Sequence, residues 1–143
     1  MVKILFVCHG NICRSPMAEF ILKDMVRKAG AEDRFQIASV AASCEELGNP
    51  MYPPARRELE KHQVSVERHF ARLITQADYD HFDLIYYMDS RNMRYLNRLF
   101  PGKTKKFRPL LSRDVADPWY TGDFTQTWLD IVEGCEAILE AYL

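Results

Sequence analysis

The first 30 residues constrain the fold more than any other part of the chain. Val2 to Val7 is a run of β-branched, aliphatic and aromatic residues, broken by one lysine, and such a run is typical of a strand buried on both faces. After a short loop, apolar residues recur at helical spacing: Ala18, Ile21, Leu22, Met25, Val26 and Ala29. Pro16 suits the first turn of a helix, and Gly30 suits its end. The sequence therefore predicts strand, loop and helix in this order, with a central strand first.

The remainder of the chain continues this alternation. Three more strands are predicted, at residues 35–40, 83–88 and 103–109. Three more helices are predicted, at residues 55–62, 90–100 and 124–142. The basic fourth strand suits a sheet edge, where lysines discourage pairing with other chains. Because alternating strands and helices form parallel sheets with right-handed crossovers, we expect one α/β domain over residues 1–143, a three-layer sandwich with a four-stranded parallel sheet and helices on both faces.

Composition agrees with one domain and argues against several classes of partner. The chain has 143 residues, of which 48% are hydrophobic, and this is ample for a single core. Its 19 basic and 20 acidic residues give a net charge of -1, which provides no broad positive field for nucleic acid or a membrane surface. We find no signal peptide and no apolar run of the ~18 residues that span a bilayer. The four cysteines form no CxxC pair, so we expect reduced thiols and a cytoplasmic location.

The loop after the first strand has the properties of an anion site. Ligands of parallel sheets bind beyond the carboxyl ends of the strands, where Cys8 lies. Backbone N–H groups at the start of a helix lack helical partners, and Gly10 and Asn11 tolerate the left-handed conformations that point such groups at one anion. The planar fork of Arg14 can hold two phosphate oxygens. The same positive field favours the thiolate of Cys8, to which Ser15 can donate its hydroxyl.

The residues alone leave a plainer interpretation open. A cysteine at the end of a strand is usually a small buried hydrophobe, and Ser-Pro before a helix is usually only a cap. A nucleotide-binding loop is disfavoured, because GxGxxG and GxxxxGK[ST] are both absent. The order strand, loop and helix favours the phosphate cradle.

The segment VCHGNICRSPMAE at residues 7–19 resembles the signature of the low-molecular-weight protein tyrosine phosphatases, which is Cys-x5-Arg-Ser within VCxGNxCRSPxAE. Further blocks similar to those of the family follow in the family's order: Ser39, GNP at 48–50, HFARLIT at 69–75, FDLIYYMDSRN at 82–92 and DPWY at 117–120. The resemblance therefore covers nearly the whole chain. The family's fold is a four-stranded parallel sheet with helices on both sides, which agrees with the pattern of strands and helices.

The resemblance implies an enzyme that hydrolyses phosphotyrosine and aryl phosphate monoesters through a cysteinyl-phosphate, without a metal or other cofactor. It implies Cys8 as the nucleophile, Arg14 as the phosphate ligand and Asp117 as the general acid. The implied supporting network consists of Asn11, Ser39 and His69. The candidate substrate-binding residues are His9, Gly10, Asn11, Ile12, Cys13, Ser15, Glu45, Trp119 and Tyr120. The expected partners are a phosphotyrosine protein or a small aryl phosphate, with inorganic phosphate as product. The protein is expected to be a monomer with an aromatic rim able to support weak self-association.

Asp117 and Cys13 each have a simpler interpretation as well. Asp-Pro often only begins a turn, but Trp119 and Tyr120 beside Asp117 can wall a slot for a planar phenyl phosphate. Cys13 is either a packing residue or a redox partner, since in the family such a pair can close a reversible disulfide that protects Cys8 from deeper oxidation.

The chain also departs from the family pattern. Glu45 stands where many members have a tryptophan or tyrosine on the pocket wall, and Tyr52 and Pro54 stand where many have Asp and Arg. Ile12 replaces the threonine of the arginine-phosphatase branch, which favours phosphotyrosine over phosphoarginine. Arsenate-reductase relatives use further cysteines, and Cys44 does not match their pattern, nor does Cys135. A protein arginine phosphatase, an arsenate-reductase-like enzyme and a non-catalytic phosphotyrosine-binding module remain alternatives.

Overall fold

The sheet has four strands, all parallel, in the order β2-β1-β3-β4. The computed structural model describes residues 1–143. The strands are β1 (Val2–Cys8), β2 (Phe35–Ala41), β3 (Leu84–Tyr87) and β4 (Phe107–Pro109). The helices are α1 (Arg14–Lys28), α2 (Pro53–Lys61), α3 (Gln76–His81), α4 (Ser90–Leu99), α5 (Pro118–Thr121) and α6 (Phe124–Tyr142). No helix is both long and apolar enough to cross a bilayer.

Helices cover both faces of the sheet, so the predicted three-layer α/β sandwich is confirmed. α1, α2 and α6 pack against one another on one face. Residues of α3 and α4 pack in a separate apolar core with the other face, and Tyr79 and Leu96 belong to it. β1 is central because it pairs with β2 on one side and β3 on the other, and its successive side chains point to opposite faces of the sheet. Ile4 and Phe6 enter the first core and Leu5 and Val7 the second, all four at 0% exposure.

The boundaries differ from the sequence prediction where the local signal is weak. α1 begins at Arg14, two residues before Pro16, and residues of this first turn are held by contacts with distant segments. α3 and α5 were not predicted, because each is too short to show an apolar period. The fourth strand is only three residues long, and residues 103–106 form a turn and a short connection before it.

Candidate active site

Hydrogen-bond donors converge on the sulfur of Cys8 at the carboxyl end of β1. The backbone N–H groups of Asn11 and Ser15 point at this sulfur, with N···Sγ distances of 3.3 and 3.4 Å. The Ser15 hydroxyl oxygen is 3.0 Å from it. Cys8 is only 3% exposed, so these groups replace water around the sulfur. This arrangement is suited to a negative charge on sulfur rather than to simple packing.

The buried side chain of Asn11 fixes the conformation of the loop that follows β1. Its φ of 61° is in the left-handed region, which costs free energy unless neighbouring groups fix it. The Nδ2 group donates to Ser15 Oγ at 2.7 Å and to Ser39 Oγ at 3.1 Å, and Oδ1 accepts from the Arg72 backbone N–H at 3.3 Å. His69 Nε2 donates to the Asn11 carbonyl oxygen at 2.8 Å. The three predicted network residues therefore lie in one hydrogen-bonded cluster.

The guanidinium of Arg14 is buried and fixed by acceptors from two other loops. Its Nη1 donates to Asp89 Oδ2 at 2.6 Å and to the Val115 carbonyl at 2.8 Å, and Nη2 donates to Asp117 Oδ2 at 3.4 Å. Burial alone lowers the pKa of Arg14, but the negative charges of Cys8, Asp117 and Asp89 raise it above its ordinary value overall. A permanently charged fork therefore stands at the site at 2% exposure.

Asp117 is both the cap of α5 and a neighbour of Arg14. Its Oδ1 accepts from the Trp119 N–H at 3.0 Å, and its side chain keeps 26% exposure. The Trp119 ring lies 4.9 Å from the Tyr52 ring, centroid to centroid, which steadies one aromatic wall. Tyr120 is 74% exposed. An acid with access to solvent thus stands beside two aromatic side chains.

A cavity of about 190 Å³ opens above Cys8. It is lined by Cys8, His9, Gly10, Ile12, Cys13, Arg14, Glu45, Glu46, Asp117, Trp119 and Tyr120. Of the predicted substrate-binding residues, Asn11 and Ser15 are not in this lining, because their side chains are fully buried beneath the loop. Ser39 and His69 lie outside it as well.

Cys13 lies in the wall of the cavity but is 5% exposed. Burial, and then the charges of Cys8 and Asp117, raise its pKa well above its ordinary value, so it is held as a thiol. Neither Cys8 nor Cys13 is in a disulfide in this structure, and the disulfide between them stays a prediction.

Comparison with known proteins supports the resemblance seen in the signature. Residues 3–142 match the family model described as low molecular weight phosphotyrosine protein phosphatase. The chain belongs to this family. The low molecular weight protein-tyrosine-phosphatase YfkJ of Bacillus subtilis is 37% identical to it over 147 residues, with 97% of this chain and 94% of the relative covered.

Several solved structures superpose closely on this one. The crystal structure of the low molecular weight protein tyrosine phosphatase SP-PTP from Streptococcus pyogenes matches with a TM-score of 0.94 and 36% identity, over 100% of this chain and 94% of that one. DARP, described as a drosophila arginine phosphatase, matches with a TM-score of 0.88 and 33% identity, over 99% of this chain and 98% of the other.

Sequence reasoning missed four residues of this phosphatase-family site. Asp89 could have been found by the rule that located Cys8, since it lies two residues after the carboxyl end of β3. Glu46 adjoins the predicted Glu45, but no pattern distinguishes it. Glu19 accepts from Ser39 Oγ at 2.6 Å, and Arg72 contacts Asn11 through its backbone. Glu19 ends the signature and Arg72 lies in the block HFARLIT, but no local pattern specifies their contacts, because both contacts depend on tertiary packing.

Proposed function

We propose that this protein hydrolyses phosphotyrosine monoesters, with Cys8 as nucleophile, Arg14 as phosphate ligand and Asp117 as general acid. The observation that carries the proposal is the convergence of these three side chains on one cavity, beneath which backbone N–H groups point at the sulfur. A module that only binds phosphate needs neither a nucleophile nor an acid. The family membership supports the same reaction.

In the first half-reaction, the thiolate of Cys8 attacks phosphorus in line with the departing phenolic oxygen. Arg14 and the loop N–H groups hold the equatorial oxygens as charge develops on them, which is the stabilisation that a metal ion supplies in other phosphoryl-transfer enzymes. Asp117 gives its proton to the leaving oxygen. The products are free tyrosine side chain and a phosphate group bonded to sulfur.

In the second half-reaction, water replaces the phenol. Asp117, now ionised, accepts a proton from this water as its oxygen attacks phosphorus and the P–S bond breaks. Inorganic phosphate leaves, and Cys8 is again a thiolate. Ser15, 3.0 Å from the sulfur, donates its hydroxyl hydrogen to it as the sulfur departs.

The cavity favours an aryl phosphate over an alkyl one. Trp119 and Tyr120 line it together with Asp117, and we expect a phenyl ring attached to the bound phosphate to lie beside them. Ile12 adds an apolar side chain, 8% exposed, to the wall. The Ile12 side chain gives no hydrogen bond to a guanidinium attached directly to the phosphate, so we infer a preference for phosphotyrosine over phosphoarginine.

A panel of peptides tests this proposal. We expect wild-type protein to release phosphate from a phosphotyrosine peptide much faster than from phosphoserine or phosphoarginine versions of the same peptide. Cys8→Ser should abolish turnover, because a serine hydroxyl is a far weaker nucleophile than a thiolate, while inorganic phosphate still binds. Cys44→Ser is the matched control, since Cys44 is exposed and lies outside the cavity.

Two results of this panel would contradict the proposal. Undiminished turnover by Cys8→Ser would remove the nucleophile from the mechanism. Faster release from the phosphoarginine peptide would assign the protein to the other substrate class.

We also infer a reducing compartment such as the cytoplasm as the working location. The mechanism needs the sulfur of Cys8 reduced and unbridged, and all four cysteines are free of disulfides in the structure. Recovery of active protein chiefly from an oxidising compartment would contradict this.

A further inference from the structure

Two glutamates form part of the cavity wall, and both are held in place. Glu45 Oε2 lies 2.7 Å from His9 Nε2, while the Glu45 side chain stays 65% exposed. Glu46 Oε2 accepts from Asn49 Nδ2 at 2.6 Å. The stem of Glu46 also lies close over the loop, since a Cβ built on Gly10 would be 3.1 Å from Glu46 Cγ. Each carboxylate is therefore held near one position by its hydrogen-bond partner.

Fixed negative charges at this place need an explanation, because the cavity has to accept a phosphate dianion. Two carboxylates at its mouth repel that dianion and lower its affinity. Their field reaches the loop itself, since Glu46 is among the charges that, after burial and Cys8, keep the pKa of Cys13 high. Arg14 opposes this field at Cys13, but its two Nη groups are also engaged with Asp89 and Asp117, whose own carboxylates add negative charge.

A positive charge on the substrate would be attracted by the two carboxylates, and this attraction would offset their repulsion of the phosphate. A lysine or arginine next to the phosphotyrosine can reach the mouth of the cavity while the phosphate occupies the loop. Glu45 offers exposed oxygen lone pairs to such a group even while one oxygen contacts His9. An aspartate or glutamate next to the phosphotyrosine would be repelled by the same carboxylates. The two glutamates would therefore favour basic substrates and disfavour acidic ones.

We propose that Glu45 and Glu46 are specificity-determining residues that select phosphotyrosine flanked by lysine or arginine. This inference rests on the proposed function and names the substrate class for the same cavity. The two carboxylates act on binding, since they lie at the mouth and not at the reacting atoms. The preference is therefore expressed in KM, with kcat little changed between substrates.

Three phosphotyrosine peptides that differ only in the residues on each side of the phosphotyrosine test the inference. These positions carry lysine, alanine or glutamate. We expect kcat/KM to fall in that order, with about 10-fold between the lysine and glutamate peptides at low salt, as a few partly exposed charge pairs provide. The preference should shrink as ionic strength rises, because salt screens exposed charges.

The double variant Glu45→Gln/Glu46→Gln should bring the three peptides within about 2-fold of one another. Glu136→Gln/Glu140→Gln is the matched control: it changes net charge equally, but at exposed positions of α6 outside the cavity, and it should keep the preference. Equal rates for the three peptides on wild-type protein would overturn the inference, and so would a preference that survives in the cavity variant. If wild-type protein turned over none of the peptides, the proposed function itself would have failed, which is a different outcome.

Discussion

Arg14 and Asp117 are in direct contact in the cavity. Their 3.4 Å hydrogen bond means that a phosphate arriving between Arg14 and Cys8 competes with the carboxylate of Asp117 for the Nη2 group. Asp89, at 2.6 Å from Nη1, keeps the fork in place during that exchange. At the scale of single residues, Asp117 is thus both the proposed acid and a competitor of phosphate for Arg14.

Replacement of Asp117 by asparagine tests this residue most directly. Asp117→Asn preserves the shape and the cap of α5 but cannot supply a proton, so turnover of an ester with a poorly leaving phenol should fall by about 10²-fold or more. The loss should be much smaller for an ester with a good leaving group, which needs no proton. Initial rates on both esters give the comparison.

Asp123→Asn is the matched control for Asp117→Asn, because Asp123 caps α6 through the Gln126 N–H and asparagine caps as well as aspartate. Its rates should stay at the wild-type level. Equal losses on the good and poor leaving groups would remove Asp117 from proton transfer.

At the scale of secondary-structure elements, α3 contributes no residue to the cavity but is connected to the site by hydrogen bonds. Asp78 accepts from Arg72 Nη1 and Nη2 at 2.8 and 3.0 Å and from the Thr75 N–H at 2.8 Å. The Arg72 backbone N–H in turn donates to Asn11 Oδ1. The capping box at the start of α3 is therefore linked through Arg72 to the hydrogen bonds that fix Asn11 in its left-handed conformation.

The charge of Asp78 makes a testable contribution to stability. Burial alone raises the pKa of Asp78, but the hydrogen bonds from Arg72 and Thr75 lower it overall. A folded-state pKa below the unfolded one stabilises the protein above the unfolded pKa of about 3.9, and this contribution is lost as the pH falls through the folded value.

Asp78→Asn should accordingly lower the free energy of unfolding by about 1 to 3 kcal/mol at neutral pH. The difference from wild type should narrow as the pH drops well below about 4, where the wild-type carboxyl also becomes neutral. Urea unfolding at a series of pH values measures both. Asp80→Asn, on the exposed side of α3, serves as the control. A gap that stays constant with pH would show that charge is not the cause.

Some helices and strands could be predicted from the sequence and others could not, because only a long element shows a clear apolar period. α6 has a stripe of apolar residues over 19 positions, so its period is unmistakable. α3 has six residues, of which only Asp78 and Tyr79 are buried, and its stability comes from a cap and a tertiary ion pair rather than from a period. β4 has three residues, and only Phe107 of them is buried.

At the scale of the whole molecule, the parallel sheet brings separate parts of the chain to one edge. Cys8 ends β1, Asp89 follows β3, and Asp117 lies in the connection after β4. The loop around Cys8 could be predicted because its residues are contiguous and obey a local pattern. The contact of Arg14 with Asp89 joins residues 75 positions apart, and that with Asp117 joins residues 103 apart. No local pattern specifies such pairs, although the rule on carboxyl ends indicates where to look.

Trapping of the phosphorylated enzyme is the most direct test of the central claim that Cys8 carries the phosphoryl group. Wild-type protein mixed with a phosphotyrosine peptide labelled on phosphorus and quenched within the first turnover should carry the label on Cys8, with up to one equivalent of free tyrosine peptide released in a burst. The account predicts that Cys8→Ser shows neither burst nor labelled protein. Product formation in the first turnover with no label on Cys8, or with label on another residue, would contradict it.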